Sequence, residues 1–156
     1  MTAYNEINGI RPGIWIAECE ADMTAYGHAL SAVLVAGDWV AIDGPLGAGK
    51  TVLCKAIIQG LGFDGEVSSP SYALVHPYDP PDVRVPVRHA DLYRLDNLGD
   101  LDELGLDDAS GDCITLVEWA KRGGLSFGNP SYWIEITPLS GERRQIDMKR
   151  NNERIE

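Results

Sequence analysis

A chain of 156 residues, 44% hydrophobic and 24% charged, is long enough for one domain with a sizeable core, and no repeat, low-complexity block or linker divides it. With 24 acids against 13 bases, the net charge of −11 repels phosphate backbones, which argues against direct nucleic-acid grip as the main activity. Three widely spaced cysteines, Cys19, Cys54 and Cys113, with no Cys-x-x-Cys, read as free buried thiols in a reducing compartment.

The opening residues, MTAYNEINGIRPG, lack the basic start and apolar run of an export signal. No apolar run approaches the ~20 residues of a membrane span, so a cytoplasmic protein free of membranes is expected. GIWIAECE (13–20) reads as a strand. ADMTAYGHALSAVL (21–34) reads as a helix whose Met23, Tyr26, Leu30, Val33 and Leu34 share one face. DWVAID (38–43), bounded by Gly37 and Gly44, is a buried strand. KTVLCKAIIQGL (50–61) is a helix with Leu53, Ala56, Ile57 and Leu61 inward, ended with the help of Gly60 and Gly62.

SYALVHPY (71–78) and part of VRVPVRHADLYRL (83–95) read as strands about a DPPD turn. The stretch 96–112, with seven acids and no Lys or Arg, reads as one or two short helices. CITLVEWA (113–120) is a strong strand, and 130–139 with 143–149 form a closing antiparallel hairpin. Strands alternating with helices predict a single three-layer α/β domain over 1–156, with a core of about 13–149 and a mainly parallel central sheet, and GPLGAGKT between the second strand and the second helix makes it P-loop NTPase-like.

GPLGAGKT, Gly44 to Thr51, spells Gly-x-x-x-x-Gly-Lys-Thr between an apolar strand and a helix. There the backbone N–H groups of Gly47, Ala48, Gly49, Lys50 and Thr51 converge on phosphate oxygens, backed by the positive helix end. Gly44, Leu46, Gly47, Ala48, Gly49, Lys50, Thr51 and Val52 form the expected nucleotide-binding set. Lys50 is placed to neutralise the β- and γ-phosphates. Thr51 offers a hydroxyl to Mg²⁺.

Glu118 and Asp91 each end a strand run, at the carboxyl edge where open α/β sheets gather ligands. A Mg·nucleotide site needs one acid near the metal and another group to orient or deprotonate water. The residues alone leave open which acid does which, and a solvated strand-end carboxylate is the plain alternative for both. His89 lies two residues before Asp91, on the same strand face, and could hold that carboxylate. His28 and His76 carry no assignment.

The guanine-reading Asn-Lys-x-Asp is absent, which favours ATP over GTP. Arg143 and Arg144 are the only adjacent arginines and sit in the hairpin, which weakens a small-molecule kinase reading. GPLGAGKT, VSSPSYALVHPY (67–78), HADLYRL (89–95) and LVEWA (116–120), in that order, resemble the TsaE (YjeE) family. The resemblance runs from about residue 18 to 147. It implies an ATPase required for threonylcarbamoyladenosine modification of tRNA.

In that resemblance, Lys50 and Thr51 take phosphates and Mg²⁺, and Glu118 is the acid of the metal site. Trp119 lies near the nucleotide, and Asp91 serves hydrolysis. Ser69, Pro70 and Ser71 form a switch loop sensing the γ-phosphate. The implied partner is a TsaB–TsaD pair that itself holds the tRNA, with hydrolysis resetting that complex between turnovers. The chain departs from the family at Pro45, often Asp, at Val52, often a hydroxyl residue, and at Ser71, usually Thr. The alternatives are a small-molecule kinase and a nucleotide-dependent binding module that hydrolyses nothing.

Overall fold

A computed structural model describes residues 10–67, 75–93, 111–122 and 130–151. These residues form β1 (Gly13–Ala17), α1 (Glu20–Ser31), β2 (Trp39–Asp43), α2 (Lys50–Gly60), β3 (Val75–Tyr78), β4 (Val87–Asp91), β5 (Ile114–Glu118), β6 (Tyr132–Pro138) and β7 (Arg144–Arg150). The strands make one seven-stranded sheet in the order β1-β7-β6-β2-β5-β4-β3. Its centre is parallel: β2 pairs with β5 and β6, and β4 with β5. Antiparallel strands close both sides, β3 on β4 at one margin and the β6–β7 hairpin carrying β1 at the other. The hairpin was expected from the sequence; the antiparallel edge strands are the finer detail.

Alternation decides the two faces. Val40 and Ile42 of β2, Ile114 and Leu116 of β5, and Ile134 and Ile136 of β6 point to one face. There they share a cluster with Met23, Tyr26 and Leu30 of α1 and Leu53, Ile57 and Ile58 of α2, so both helices lie on that side. On the other face Ala41, Ala90 and Val117 form a smaller cluster with Trp39 and Trp133 against it. The further helical segment expected at 96–112 falls almost wholly outside the described residues.

Among the described residues no helix is long and apolar enough to cross a membrane. Cys54 and Cys113 are buried free thiols, as expected, whereas Cys19 is only half-buried at the start of α1. Val33 departs from the expected apolar face: α1 stops at Ser31, and Val33 is left 45% exposed beyond it.

Local chemistry explains the helix ends. Acidic Glu20 and Asp22 occupy the first turn of α1, where the helix dipole favours negative charge. The Asp22 carboxylate accepts the Glu18 N–H at 2.8 Å, tying the entering chain to the helix. At the end of α2, the Phe63 N–H donates to Ile58 O and the Gly62 N–H to Gln59 O, satisfying carbonyls the helix leaves open.

The two helices meet at small residues. A Cβ added at Gly27 would lie 2.5 Å from the Ala56 Cβ and 3.1 Å from the Leu53 carbonyl oxygen. Neither neighbour can rotate away, so α1 and α2 would have to separate. Gly27→Ala is expected to lower stability by ~1–3 kcal/mol through overpacking. Urea unfolding should show a lower midpoint with an unchanged slope; an unchanged midpoint would mean the helices slide apart freely.

Candidate functional site

The site forms where three adjacent parallel strands end together. β2 runs into the Gly44–Thr51 loop, which opens α2 at Lys50. Glu118 at the end of β5 lies in register with Ile42 of β2 and with Asp91 of β4. The strand order alone therefore brings the loop and both acids to one edge, the expected ligand crevice of such a sheet. A cleft of about 430 Å³ is lined by Leu46, Gly47, Gly49, Lys50, Thr51 and Val52 from the loop and helix, and by Asp91, Tyr93, Glu118 and Trp119 opposite. A smaller cavity of about 190 Å³ lies against the same loop and includes Met23, Ala48, Glu142 and Arg144.

The loop has a path that side chains oppose. Gly49 caps α2 with φ +109°, a left-handed conformation that glycine adopts without penalty. At Gly44 a Cβ would sit 2.6 Å from the Ile136 carbonyl oxygen, so close passage under β6 needs glycine. Ala48 is fully buried and turns its methyl into the core, anchoring the loop from below. The Arg144 Nε donates to the Ala48 carbonyl at 3.1 Å, a tie from β7. The guanidinium that seemed remote in sequence thus belongs to the rim of the site.

Lys50 is 5% exposed and folds onto its own loop. Its Nζ donates to Gly44 O at 2.7 Å and to Pro45 O at 2.8 Å, and stands 3.9 Å from the centre of the Trp119 ring. Burial lowers its pKa, while Glu118, Asp91 and Asp43 oppose that shift. Trp119 holds φ +60°, left-handed for a residue with a Cβ, and its N–H donates to Ile42 O at 3.0 Å. That turn places its ring 4.7 Å from Tyr93, beside the lysine.

Glu118 is 2% exposed and both its oxygens are engaged. The Thr51 hydroxyl donates to Oε1 at 2.9 Å, and His89 Nε2 donates to Oε2 at 2.7 Å. His89 was expected to hold Asp91 along its own strand. It reaches diagonally to β5 instead: Glu118 lies opposite Asp91 in register, and its longer side chain spans the diagonal to the imidazole, while the shorter Asp91 carboxylate accepts the Tyr93 N–H. Asp91 Oδ1 accepts the Tyr93 N–H at 2.9 Å. Ser69, Pro70 and Ser71 lie outside the described residues. Tyr93, Arg144 and the His89–Glu118 link were missed in the sequence; only the position of Tyr93 two residues after Asp91 hinted at any of them.

The donor set suits a hard dication. Thr51 Oγ1 and Glu118 Oε1 are 2.9 Å apart, against about 3 Å for adjacent ligands of an octahedral Mg²⁺ at ~2.1 Å. Two neighbouring buried carboxylates facing one lysine would repel a polyphosphate unless a cation came with it.

Burial, with Glu118 repulsion behind it, raises the Asp91 pKa, against the Tyr93 N–H, His89 and Lys50. A carboxyl whose folded pKa lies above its unfolded value costs no stability below the unfolded value, and costs more as pH rises through the folded one. Asp91→Asn keeps the acceptor for Tyr93. It should therefore melt higher than wild type at pH 7, with the gain vanishing below about pH 3. A mutant that melts lower at pH 7 would mean Lys50 more than compensates the charge.

The TsaE family model, described as "Threonylcarbamoyl adenosine biosynthesis protein TsaE", matches residues 17–148. A Mycobacterium leprae protein named tRNA threonylcarbamoyladenosine biosynthesis protein TsaE is 41% identical over 117 residues, 70% of this chain and 73% of that protein. A Rickettsia bellii protein of the same name is 34% identical over 130 residues, 83% of this chain and 89% of that protein. The crystal structure of Bacillus subtilis YdiB superposes with a TM-score of 0.73 at 26% identity, covering 92% of this chain and 88% of that one.

Proposed function

The chain belongs to the TsaE family of threonylcarbamoyl adenosine biosynthesis proteins, and from that premise we propose that it is a Mg·ATP-dependent ATPase serving this tRNA modification. The observation that carries the reading is the Lys50–Thr51–Glu118–Asp91 constellation at the open end of a glycine loop. The loop amides and the N-terminal end of α2 receive the phosphates. Lys50 exchanges its two carbonyl acceptors for charged phosphate oxygens, which are stronger acceptors. The nucleoside extends toward the smaller cavity, where Met23 and Val52 offer an apolar surface beside Arg144.

Thr51 and Glu118 would hold Mg²⁺, and the ion would supply neutralisation of the phosphate charge. His89 fixes the Glu118 carboxylate from behind, so that Oε1 faces Thr51. Asp91, steadied by the Tyr93 amide, orients the attacking water from β4. Ser69, Pro70 and Ser71 complete the reading as the γ-phosphate-sensing switch.

The ATPase acts on a TsaB–TsaD-type pair that holds the tRNA, and its hydrolysis resets that complex between rounds. The net charge of −11 agrees with indirect contact to tRNA through the partner. The test is reconstitution with TsaB, TsaD and tRNA. Multiple rounds of modification should require this chain and ATP together; equal multiple turnover without the chain would reject the role.

A further inference from the structure

We propose that Cys54, His89 and Glu118 form a second cation site, selective for a thiophilic dication such as Zn²⁺, on the inner side of the Glu118 carboxylate. One ligand atom from each lies within 4.8 Å of the others. Cys54 and His89 are 0% exposed and Glu118 2%, so the three are held in the core, and Glu118 also lines the cleft. They come from three elements: α2, β4 and β5. Cys54 follows Thr51 by three residues and shares its helix face, which sets the thiol beside the carboxylate that Thr51 touches.

The chemistry of the trio differs from that of the magnesium position. A thiol, an imidazole and one carboxylate are the donors of a tetrahedral Zn²⁺ site, whereas Mg²⁺ takes oxygen alone. Bond lengths of ~2.0–2.3 Å around such an ion put its ligands roughly 3–4 Å apart, a modest rearrangement of a cluster already within 4.8 Å. The imidazole nitrogen that faces the carboxylate is Nε2, 2.7 Å from Oε2, so Nε2 is the nitrogen that an ion shared with Glu118 would take.

Binding releases one proton, that of the Cys54 thiol. The imidazole stays neutral, by a shift of its proton to Nδ1. The fourth position falls to water from the cleft. Glu118 would then be shared between two dications, whose mutual repulsion weakens the magnesium position. Zinc occupancy is thus an inhibitory state of the enzyme. Only this last consequence rests on the proposed ATPase function; the site itself rests on the side chains.

The test uses the full, tag-free chain without nucleotide, titrated with Co²⁺ as a spectroscopic stand-in for Zn²⁺. One equivalent should produce a sulfur-to-cobalt charge-transfer band and tetrahedral visible bands, both displaced by Zn²⁺ and unmoved by excess Mg²⁺. Cys54→Ser and Cys54→Ala should abolish the charge-transfer band. They should weaken Zn²⁺ at least ~100-fold, beyond the ~10–100-fold typical of losing an outer-shell partner. Cys19→Ser should keep both properties. No band in wild type, or a band that persists in both Cys54 variants, overturns the site, and the wild-type arm decides even if a variant fails to fold. If the band forms but Zn²⁺ leaves hydrolysis untouched, the site stands and the role of Glu118 as the magnesium acid falls.

Discussion

Glu118→Gln should bind ATP nearly as wild type does and hydrolyse it about 100-fold more slowly, or worse. The geometry isolates the charge. Glu118 is buried, with Thr51 on one oxygen and His89 on the other. Gln has the same size, keeps one acceptor, and can meet His89 after a tautomer change, so the strand end should hold its shape. What disappears is the negative charge next to the Thr51 hydroxyl, where the cation would sit. Isothermal titration for binding and phosphate release for turnover read the two effects separately. Undiminished turnover would move the cation to Asp91.

Lys50→Ala should lower ATP affinity at least about tenfold while the protein stays folded. Lys50 donates to Gly44 O and Pro45 O. Its loss leaves two carbonyls at the edge of an open cleft, where water can replace the ammonium. The fold should survive because the lysine head faces its own loop and the Trp119 ring at the cleft. With phosphates present the loss is larger, since a partly desolvated counter-charge to a polyanion has no substitute in water. Equal dissociation constants for mutant and wild type would remove the phosphate-loop assignment.

The loop and the acids were legible in the sequence because each is a local pattern. GPLGAGKT specifies a turn and a helix start within eight residues, and Glu118 and Asp91 each end an apolar run. The parallel centre followed from alternation of strands with helices. What escaped is what tertiary contact decides. His89 bonds across strands to Glu118, a pairing set by the β4–β5 register and invisible to the i, i+2 spacing that suggested Asp91. Arg144 reaches Ala48 from a strand 96 residues away. The left-handed turn at Trp119 is the price of aiming its ring back over Lys50, and nothing in VEWA announces it. Val33 kept the helical period by coincidence after α1 had ended.

The central claim is that the cleft hydrolyses ATP as an accessory to a partner complex, and hydrolysis measured during titration with TsaB–TsaD tests it most directly. Alone, the enzyme should turn over slowly, because among the described residues only Asp91, steadied by the Tyr93 amide, is placed to orient an attacking water. Docking should raise the rate by orders of magnitude as the water is positioned. Asp91→Asn should dock as well as wild type and show no stimulation. Wild type that docks without any change in rate, or an Asp91→Asn enzyme stimulated as fully as wild type, would contradict the claim.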